Sequence, residues 1–319
     1  MTAKDYIELK QKQWAIRRKK DIALTNENRY TKVYNDNLFE KTLYGKIKEQ
    51  FETADGNELN GKMAALYSSS ALGVNVFQYF YKLLEQENKE EANKILYALG
   101  VSRDKDIEIK SISFEQKLHI DNISTPNIDI IITTTNNKVF AIESKFREPY
   151  YYTPSNYIQK KYYDNNDIWN KLEQTKEYID ELDEGFIEIE KDIIERETSI
   201  EEKEIGVKKI FPSFKRLNAA QLIKHLLGLF NDNKSIKEYK NNTEYKNNIR
   251  LIYLYYDVPG NMGEEHRKEI KEFSDFIKKD NIKFTAMSYQ ELIYNLNNLL
   301  DRRNKEHEKY LDYINSRYL

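Results

Sequence analysis

Two neighbouring stretches of the chain, residues 127–133 and 138–146, alternate hydrophobic and polar positions. Alternation with a period of two is typical of β-strands that bury one face. The stretch between them is short and rich in Thr and Asn, which favours a tight turn. The pattern therefore predicts a β-hairpin.

Charged residues fall on one side of this predicted hairpin. Successive side chains of a strand point to opposite faces, so Asp129 in the first strand, and Glu143 and Lys145 in the second, point away from the apolar face. That apolar face carries Ile128, Ile130 and Ile132 from the first strand and Phe140, Ile142 and Phe146 from the second. Three charges are expected to collect on the opposite face.

The length of the turn decides whether these charges meet. A three-residue loop at 135–137, with an Asn in the left-handed conformation, pairs Thr134 with Lys138 and sets Asp129 directly opposite Glu143. Their Cβ atoms would then lie about 5 Å apart. A two-residue loop would place the two carboxylates on opposite faces. The odd loop length, or an equivalent bulge, is therefore itself a prediction.

The same criteria predict further elements along the chain. Helices are expected at residues 3–23, 37–52, 68–85, 89–99, 167–184, 218–230, 264–279, 289–300 and 302–319. Strands are expected at residues 106–120, 250–258 and 282–287. Together they predict an α/β fold with a mixed central sheet of four to five strands flanked by helices.

These elements suggest a division of the chain into regions. We expect an N-terminal helical region at 1–62, a core formed by 63–150 and 206–300, a helical and acidic insertion at 151–205, and a C-terminal helix at 301–319. That helix carries Tyr310, Tyr313 and Tyr318, which are candidates for a dimer contact.

Composition narrows the chemistry. The formal net charge is −2, but residues 181–204 hold eleven acids and three bases, which leaves +6 on the rest of the chain. The absence of cysteine excludes disulfides, thiolate zinc sites and cysteine nucleophiles, and the four scattered histidines do not form a zincin motif. The chain has neither an apolar run of membrane length nor a hydrophobic signal-peptide core, so we expect a cytoplasmic protein without membrane contact.

The predicted charge cluster suits a metal site. Two adjacent carboxylates repel each other and raise one pKa unless a cation sits between them. Hard oxygen ligands at this spacing suit Mg²⁺ or Mn²⁺. Lys145, one step along the same strand face from Glu143, is placed to hold or polarise a water molecule.

The arrangement resembles the PD-(D/E)xK nuclease superfamily, which has the restriction-endonuclease-like fold. Pro126-Asn127-Ile128-Asp129 stands for the first half of its signature, with two residues inserted, and Glu143-Ser144-Lys145 for the second half. Glu-x-Lys occurs at eight other places in the chain, but none of them follows a strand and turn of this kind. The strings TPNID, ESKFREPY and SSSALGVNVF are also similar to a group of uncharacterised bacterial restriction endonucleases.

The resemblance implies a metal-dependent DNA endonuclease of the restriction type. Asp129 and Glu143, with the backbone carbonyl of Ser144, would bind the metal, and Lys145 would position the attacking water and help to deprotonate it. Since one chain offers one such site, cutting both strands would need a homodimer. The resemblance also suggests a companion methyltransferase or defence-system protein.

Other residues are candidates for the same site. Glu115 is either a third metal carboxylate or one partner of a cross-strand ion pair. Gln221 and His225 share one face of the predicted helix at 218–230. The resemblance implies that Gln221 steadies a phosphate or water and that His225 makes a neighbouring contact; otherwise both lie on a solvated face.

Basic and aromatic residues near these positions are candidates for binding nucleic acid. They are Lys208, Lys209, Lys215, Arg216, Tyr151 and, through its neighbouring contact, His225. Tyr151 belongs to a Tyr-rich segment after the second hairpin strand, where aromatic rings either stack on bases or pack an inserted subdomain. The basic residues 17–20 either meet phosphate or form a solvated helix face.

Two alternatives to this reading keep the fold and change the function. One is a nuclease that acts on single-stranded DNA ends or on RNA. The other is a relative that binds nucleic acid or protein without cutting it. An NTPase is excluded, because the P-loop-like string at 56–63 has Met63 where Ser or Thr should hold Mg²⁺.

Overall fold

The computed structural model describes residues 1–25, 27–54, 57–101, 107–120, 123–124, 126–182, 185–190, 204–232 and 248–319. Within these ranges the helices are α1 Ala3–Arg17, α2 Ile47–Thr53, α3 Ser69–Glu85, α4 Lys89–Ala98, α5 Glu148–Tyr151, α6 Lys160–Tyr163, α7 Glu173–Glu181, α8 Ala219–Asn231, α9 Asn261–Ile277, α10 Tyr289–Leu299 and α11 Lys305–Tyr318. The strands are β1 Ile109–Gln116, β2 His119–Ile120, β3 Ile123–Ser124, β4 Ile128–Thr134, β5 Val139–Lys145, β6 Tyr157–Gln159, β7 Ile187–Glu190, β8 Glu204–Lys209, β9 Ile249–Tyr255 and β10 Lys283–Ser288.

A five-stranded mixed sheet forms the centre, in the order β1-β4-β5-β9-β10. β1, β4 and β5 are antiparallel neighbours, whereas β5, β9 and β10 run parallel. A parallel pair needs a long crossover, and the chain between β5 and β9 supplies α8 for it. The architecture confirms the predicted helix-flanked mixed sheet.

Both faces of this sheet are buried. On one face α3 approaches so closely that a Cβ on Gly73 would lie 3.3 Å from Cδ1 of Ile130. On the other face α8 and α9 cover Ile131 and Ala141 in a second hydrophobic cluster. Burial on both sides explains why the centre of β4 is an uninterrupted apolar run.

The hairpin between β4 and β5 has the predicted three-residue loop. The Thr134 amide donates to the Lys138 carbonyl at 3.0 Å, and Asn137 takes the left-handed conformation with φ 60°. Ile130 pairs with Ile142, and the same count sets Asp129 opposite Glu143. The register prediction is confirmed.

The apolar face of the hairpin departs from the prediction at one residue. Ile130 and Ile132 pack on the α3 side, as do Phe140, Ile142 and Phe146, but Ile128 packs in the second cluster. The strict alternation therefore holds only from Asp129 onward.

The predicted strand at 106–120 is interrupted. Glu115 has a left-handed backbone with φ 48°, β1 ends at Gln116, and the short β2 pairs separately with β3. Ile112 and Phe114 pack on the α3 side, whereas Leu118 and Ile120 pack in the second cluster. The chain thus changes sides of the sheet where one continuous strand was expected; residues 102–106 lie outside the described ranges.

The insertion was expected to be helical, but it also contains strands. Besides α6 and α7 it contains a small antiparallel sheet in the order β6-β8-β7. Residues 191–203, which carry many of the acidic side chains of the insertion, lie outside the described part of the chain.

The predicted helix at 37–52 is reduced to α2. Side chains of α3 bind the backbone before α2 in a non-helical conformation. The Phe39 amide donates to Oδ1 of Asn75 at 2.7 Å, and the Tyr44 amide donates to Oε1 of Gln78 at 2.9 Å. These buried amide side chains take the place of helical hydrogen bonds.

The tyrosines of α11 do not form an exposed dimer surface. All three, Tyr310, Tyr313 and Tyr318, are buried in the same hydrophobic cluster as residues of α3 and α1, so the expected dimer contact is wrong.

None of the helices within the described ranges combines the length and apolar character needed to span a membrane.

Candidate active site

Four polar side chains form a row across adjacent strands of the central sheet. The β1–β4 register, which pairs Phe114 with Ile130, sets Glu115 opposite Asp129, and the β4–β5 register sets Asp129 opposite Glu143. On the next strand Glu143 is paired with Tyr253. Glu115 and Asp129, predicted from alternation alone, therefore stand beside Glu143.

Glu143 is almost completely buried and still charged. Its Oε1 lies 2.5 Å from Nζ of Lys145, and its Oε2 lies 2.8 Å from Nε2 of His225. Burial alone would raise the pKa of Glu143, but Lys145 and His225 outweigh it and lower the pKa to about 2. The carboxylate is thus held in one orientation by two partners.

Asp129 is held by the backbone of the opposite strand. The Ser144 amide donates to its Oδ2 at 2.6 Å. The hydroxyl of Ser144 shares a 2.6 Å hydrogen bond with Tyr289 on the α3 side of the sheet. Burial and then the charge of Glu143 raise the pKa of Asp129 well above its usual range.

A fourth carboxylate joins the row from outside the sheet. Burial, then Glu58, then Glu143 raise the pKa of Glu115 to about 8. Glu58 accepts a hydrogen bond from Ser70 at 2.9 Å. Glu58 could not be predicted as a member of this site, because it lies in a short 3-10 helix, Glu58–Asn60, far from the hairpin in the chain. Within the described ranges Glu115 forms no cross-strand ion pair, and its side chain is hydrogen-bonded to Asn127.

Lys145 borders a small cleft at the end of the row. Its side chain is 16% exposed, and its pKa is well above the usual range, because Glu143 and Asp129 outweigh the effect of burial. The cleft is lined by Lys145, Glu148, Pro149, Tyr152, Pro154, Arg216, Asn218, Gln221 and Tyr253. Lys145 is therefore a cation that reaches both the carboxylates and solvent.

Helix α8 brings Gln221 and His225 to this site in different ways. Asn218 caps the helix by accepting from the Gln221 amide at 3.0 Å, and the half-exposed Gln221 side chain lines the cleft. His225, one turn later, is fully buried against Glu143. The expected substrate contact or solvated position for His225 is wrong; its ring holds a carboxylate.

The family model described as "Restriction Endonuclease associating with ARP" matches residues 8–319. The chain belongs to this family. Comparison with curated proteins and with solved structures gave no match. Family membership supports a restriction-endonuclease type of protein.

The residues predicted to contact nucleic acid differ in how far they are exposed to solvent. Lys208 is buried and Lys209 is half-buried. Arg216 lines the cleft and pairs with Glu265 at 2.8 Å, whereas Lys215 is exposed. Tyr151 is 50% exposed beside the cleft residue Tyr152.

The carboxylate row is not arranged as a completed metal centre. Across the described ranges, no three His, Asp or Glu side chains converge in a way that would hold a metal ion. Glu143 is instead engaged by Lys145 and His225, and Asp129 by a backbone amide.

Proposed function

We propose that this chain is a metal-dependent endonuclease of the PD-(D/E)xK type that hydrolyses phosphodiester bonds in DNA. The observation that carries the proposal is the row of Asp129 and Glu143 with Lys145 at the edge of an open cleft. Membership of a restriction-endonuclease family supports DNA as the substrate.

The donor set fits Mg²⁺ or Mn²⁺. Asp129, Glu143 and the Ser144 carbonyl are hard oxygen donors on neighbouring strands, with Glu115 available as a further carboxylate. Burial, followed by neighbouring carboxylates, raises the pKa values of Asp129 and Glu115, and a divalent cation would offset the contribution of the carboxylates. When bound, the ion would stabilise the charge that develops on the phosphate during hydrolysis.

The protein's own groups orient the reaction. The raised pKa of Lys145 keeps its side chain positively charged. Only a neutral amine could take a proton from the attacking water. Lys145 therefore donates hydrogen bonds to this water and stabilises the hydroxide that forms. The Gln221 amide, which also lines the cleft, donates to a phosphate oxygen or to the same water. His225 acts through Glu143, as a positioning residue.

The assembly follows from the number of sites. One chain supplies one row of carboxylates, so cutting both strands of a duplex calls for two copies. The family description names an association with ARP, and we extend that association to this chain. A companion methyltransferase remains part of the same proposal.

The test is nicking of supercoiled plasmid in the presence of Mg²⁺. Asp129→Asn, Glu143→Gln and Lys145→Ala should each lower the rate by roughly 100-fold or more, since each removes a charge that the transition state requires. Controls are Glu87→Gln and Lys89→Ala, which alter an exposed Glu-x-Lys pair at the start of α4 and should leave the rate unchanged. Undiminished nicking by all three site variants would contradict the proposal.

A further inference from the structure

Exposed tyrosines are uncommon in the described part of this chain. Four of them are more than a third exposed: Tyr30, Tyr151, Tyr152 and Tyr294. Two of the four, Tyr151 and Tyr152, are consecutive and lie at the end of helix α5, which follows the strand that carries Glu143 and Lys145. Their exposure is unexpected for packing residues, since most of the other tyrosines lie in the core or against it.

Tyr152 is the member of the pair that reaches the cleft. It follows the four-residue helix α5 and lines the same cleft as Lys145 and Gln221, while its ring remains 49% exposed. The rings of Tyr151 and Tyr152 meet edge to face, with centroids 6.1 Å apart and an angle of 82°. A partly exposed aromatic side chain therefore stands at the candidate active site, in contact with a second one.

Tyr151 holds positive charge beside that face. Nζ of Lys4 lies 4.5 Å and the Arg147 guanidinium 4.4 Å from the centre of its ring. Arg147 is fixed in turn by the Tyr67 ring, 3.7 Å away, and by an ion pair with Glu8. Cations stacked on aromatic faces keep their charge and a defined position.

Two acids lie close to these groups. Glu148 lines the cleft together with Tyr152, and it accepts hydrogen bonds from the Ser69 hydroxyl at 2.7 Å and from the Phe146 amide at 2.9 Å. Glu8 pairs with Arg147 and lies 3.9 Å from Lys4, so two cations share one carboxylate there. An aromatic face flanked by Lys4 and Arg147 then has the two features that single-stranded nucleic acid requires, a stacking surface and positive charge.

We infer that Tyr152 stacks on an unpaired base of the DNA strand whose phosphate occupies the Lys145 cleft, with Lys4 and Arg147 contacting the adjacent backbone. Bases inside a duplex are stacked on their neighbours, so only an unpaired or extruded base can present a face to Tyr152. The inference rests on the proposed function and refines its substrate: DNA with an unpaired nucleotide next to the cut is preferred over fully paired duplex.

A measurement of DNA binding tests this inference independently of DNA cleavage. Fluorescence anisotropy would compare a blunt duplex with a duplex carrying a short single-stranded tail, in Mg²⁺ and on a Lys145→Ala background that blocks turnover. Tyr152→Ala should weaken binding of the tailed DNA about tenfold and leave the blunt duplex unchanged, whereas Tyr152→Phe should retain the preference because it keeps the ring. Tyr294→Ala, which removes an exposed tyrosine that does not line the cleft, is the matched control.

An abasic nucleotide in the tail removes the base instead of the ring. It should weaken binding of the unaltered Tyr152 protein and cause no further loss in Tyr152→Ala, because both changes delete the same contact. Equal loss in both proteins, or equal tail preference in Tyr152→Ala and Tyr152→Phe, would overturn the inference. Plasmid nicking by the unmodified chain tests the proposed function independently.

Discussion

At the scale of single residues, the buried carboxylate of Glu143 keeps its charge because Lys145 and His225 both hold it. Burying a carboxylate costs free energy, and the hydrogen bonds and ion pairs of its partners offset that cost. When one partner is removed, the cost remains and part of the offset is lost. His225 is fully buried and makes this contact at 2.8 Å from another element, α8. The histidine therefore contributes to stability as well as to the alignment of the row.

His225→Ala should lower the free energy of unfolding by about 2–3 kcal/mol, the usual loss for a hydrogen bond to a buried charged group. Urea denaturation at pH 7 would measure it. Gln221→Ala, one turn earlier on α8 and half-exposed, should leave the free energy of unfolding unchanged. A similar loss in both variants would show that the effect comes from the helix and not from the contact with Glu143.

His266 is a second buried histidine, held neutral by its surroundings. The Tyr150 hydroxyl donates to the Tyr256 carbonyl and accepts from Nδ1 of His266, so Nε2 accepts from the Tyr253 hydroxyl. Burial, followed by the nearby cations Arg216 and Arg267, lowers the pKa of His266 to about 3. The neutral ring thus anchors Tyr253, the last member of the polar row.

This neutral histidine makes stability depend on pH. Between pH 6.5 and about 3 the unfolded chain binds a proton at this position and the folded chain does not, so stability falls as the pH falls. The contribution is at most about 1.4 kcal/mol per pH unit. Urea denaturation from pH 7 to pH 4 should give a shallower decline for His266→Gln, which cannot take up the proton. Identical slopes would contradict the assignment.

At the scale of elements, the loop between β4 and β5 sets the alignment of the candidate active site. Thr134 and Lys138 close the three-residue loop, and Asn137 supplies its left-handed residue. A side chain other than Asn or Gly is strained in that conformation. The geometry of a surface turn is thereby coupled to the position of two carboxylates at the other end of the hairpin.

Deleting Asn136 should abolish nuclease activity, because a two-residue loop moves Asp129 and Glu143 to opposite faces or forces the hairpin to bulge. Asn137→Gly should keep both fold and activity, since glycine adopts the same conformation. Asn137→Ala should lower the free energy of unfolding by about 1 kcal/mol. Plasmid nicking and urea denaturation would be measured on all three proteins, and full activity after the deletion would contradict the register argument.

At the scale of the whole molecule, the two ends of the chain share one core. α1 and α11 pack in the same hydrophobic cluster as α3, and Arg317 lies buried between them. Its guanidinium donates to Gln11, to the Tyr313 hydroxyl, and to the backbone and side chain of Asn37. The N-terminal region, the core and the C-terminal helix are therefore joined by polar contacts as well as by apolar packing.

Arg317→Met should lower the free energy of unfolding by roughly 3 kcal/mol or more, because several buried acceptors lose their donor together. Thermal and urea denaturation would measure the loss. Arg303→Ala, at an exposed arginine just before α11, should leave both transitions unchanged. If the Arg317 variant lost only its C-terminal helix while the rest stayed folded, α11 would be a separate unit after all.

Much of the fold could be predicted because the deciding signals are local. Alternation predicted β4 and β5, the helical spacing of apolar residues predicted α3 and α8, and a turn of defined length predicted the register of Asp129 against Glu143. The failures have equally physical causes. Side chains of a distant helix, Asn75 and Gln78, bind the backbone before α2 and keep it from forming a helix. Glu115 interrupts the segment 106–120, although the apolar residues Ile112, Phe114, Leu118 and Ile120 predict one continuous strand there.

What the sequence determined by itself is the row on the hairpin, since the periods of strands and turns depend only on neighbours along the chain. What only the tertiary structure decided is the surroundings of that row. His225 lies 82 residues from Glu143 in the chain, and neither Glu58 nor Tyr253 carries a local sign that it will stand beside Glu115 or Glu143. Contacts between distant segments are selected by the packing of the whole molecule, and they determine which of the predicted charges are buried, held and open to solvent.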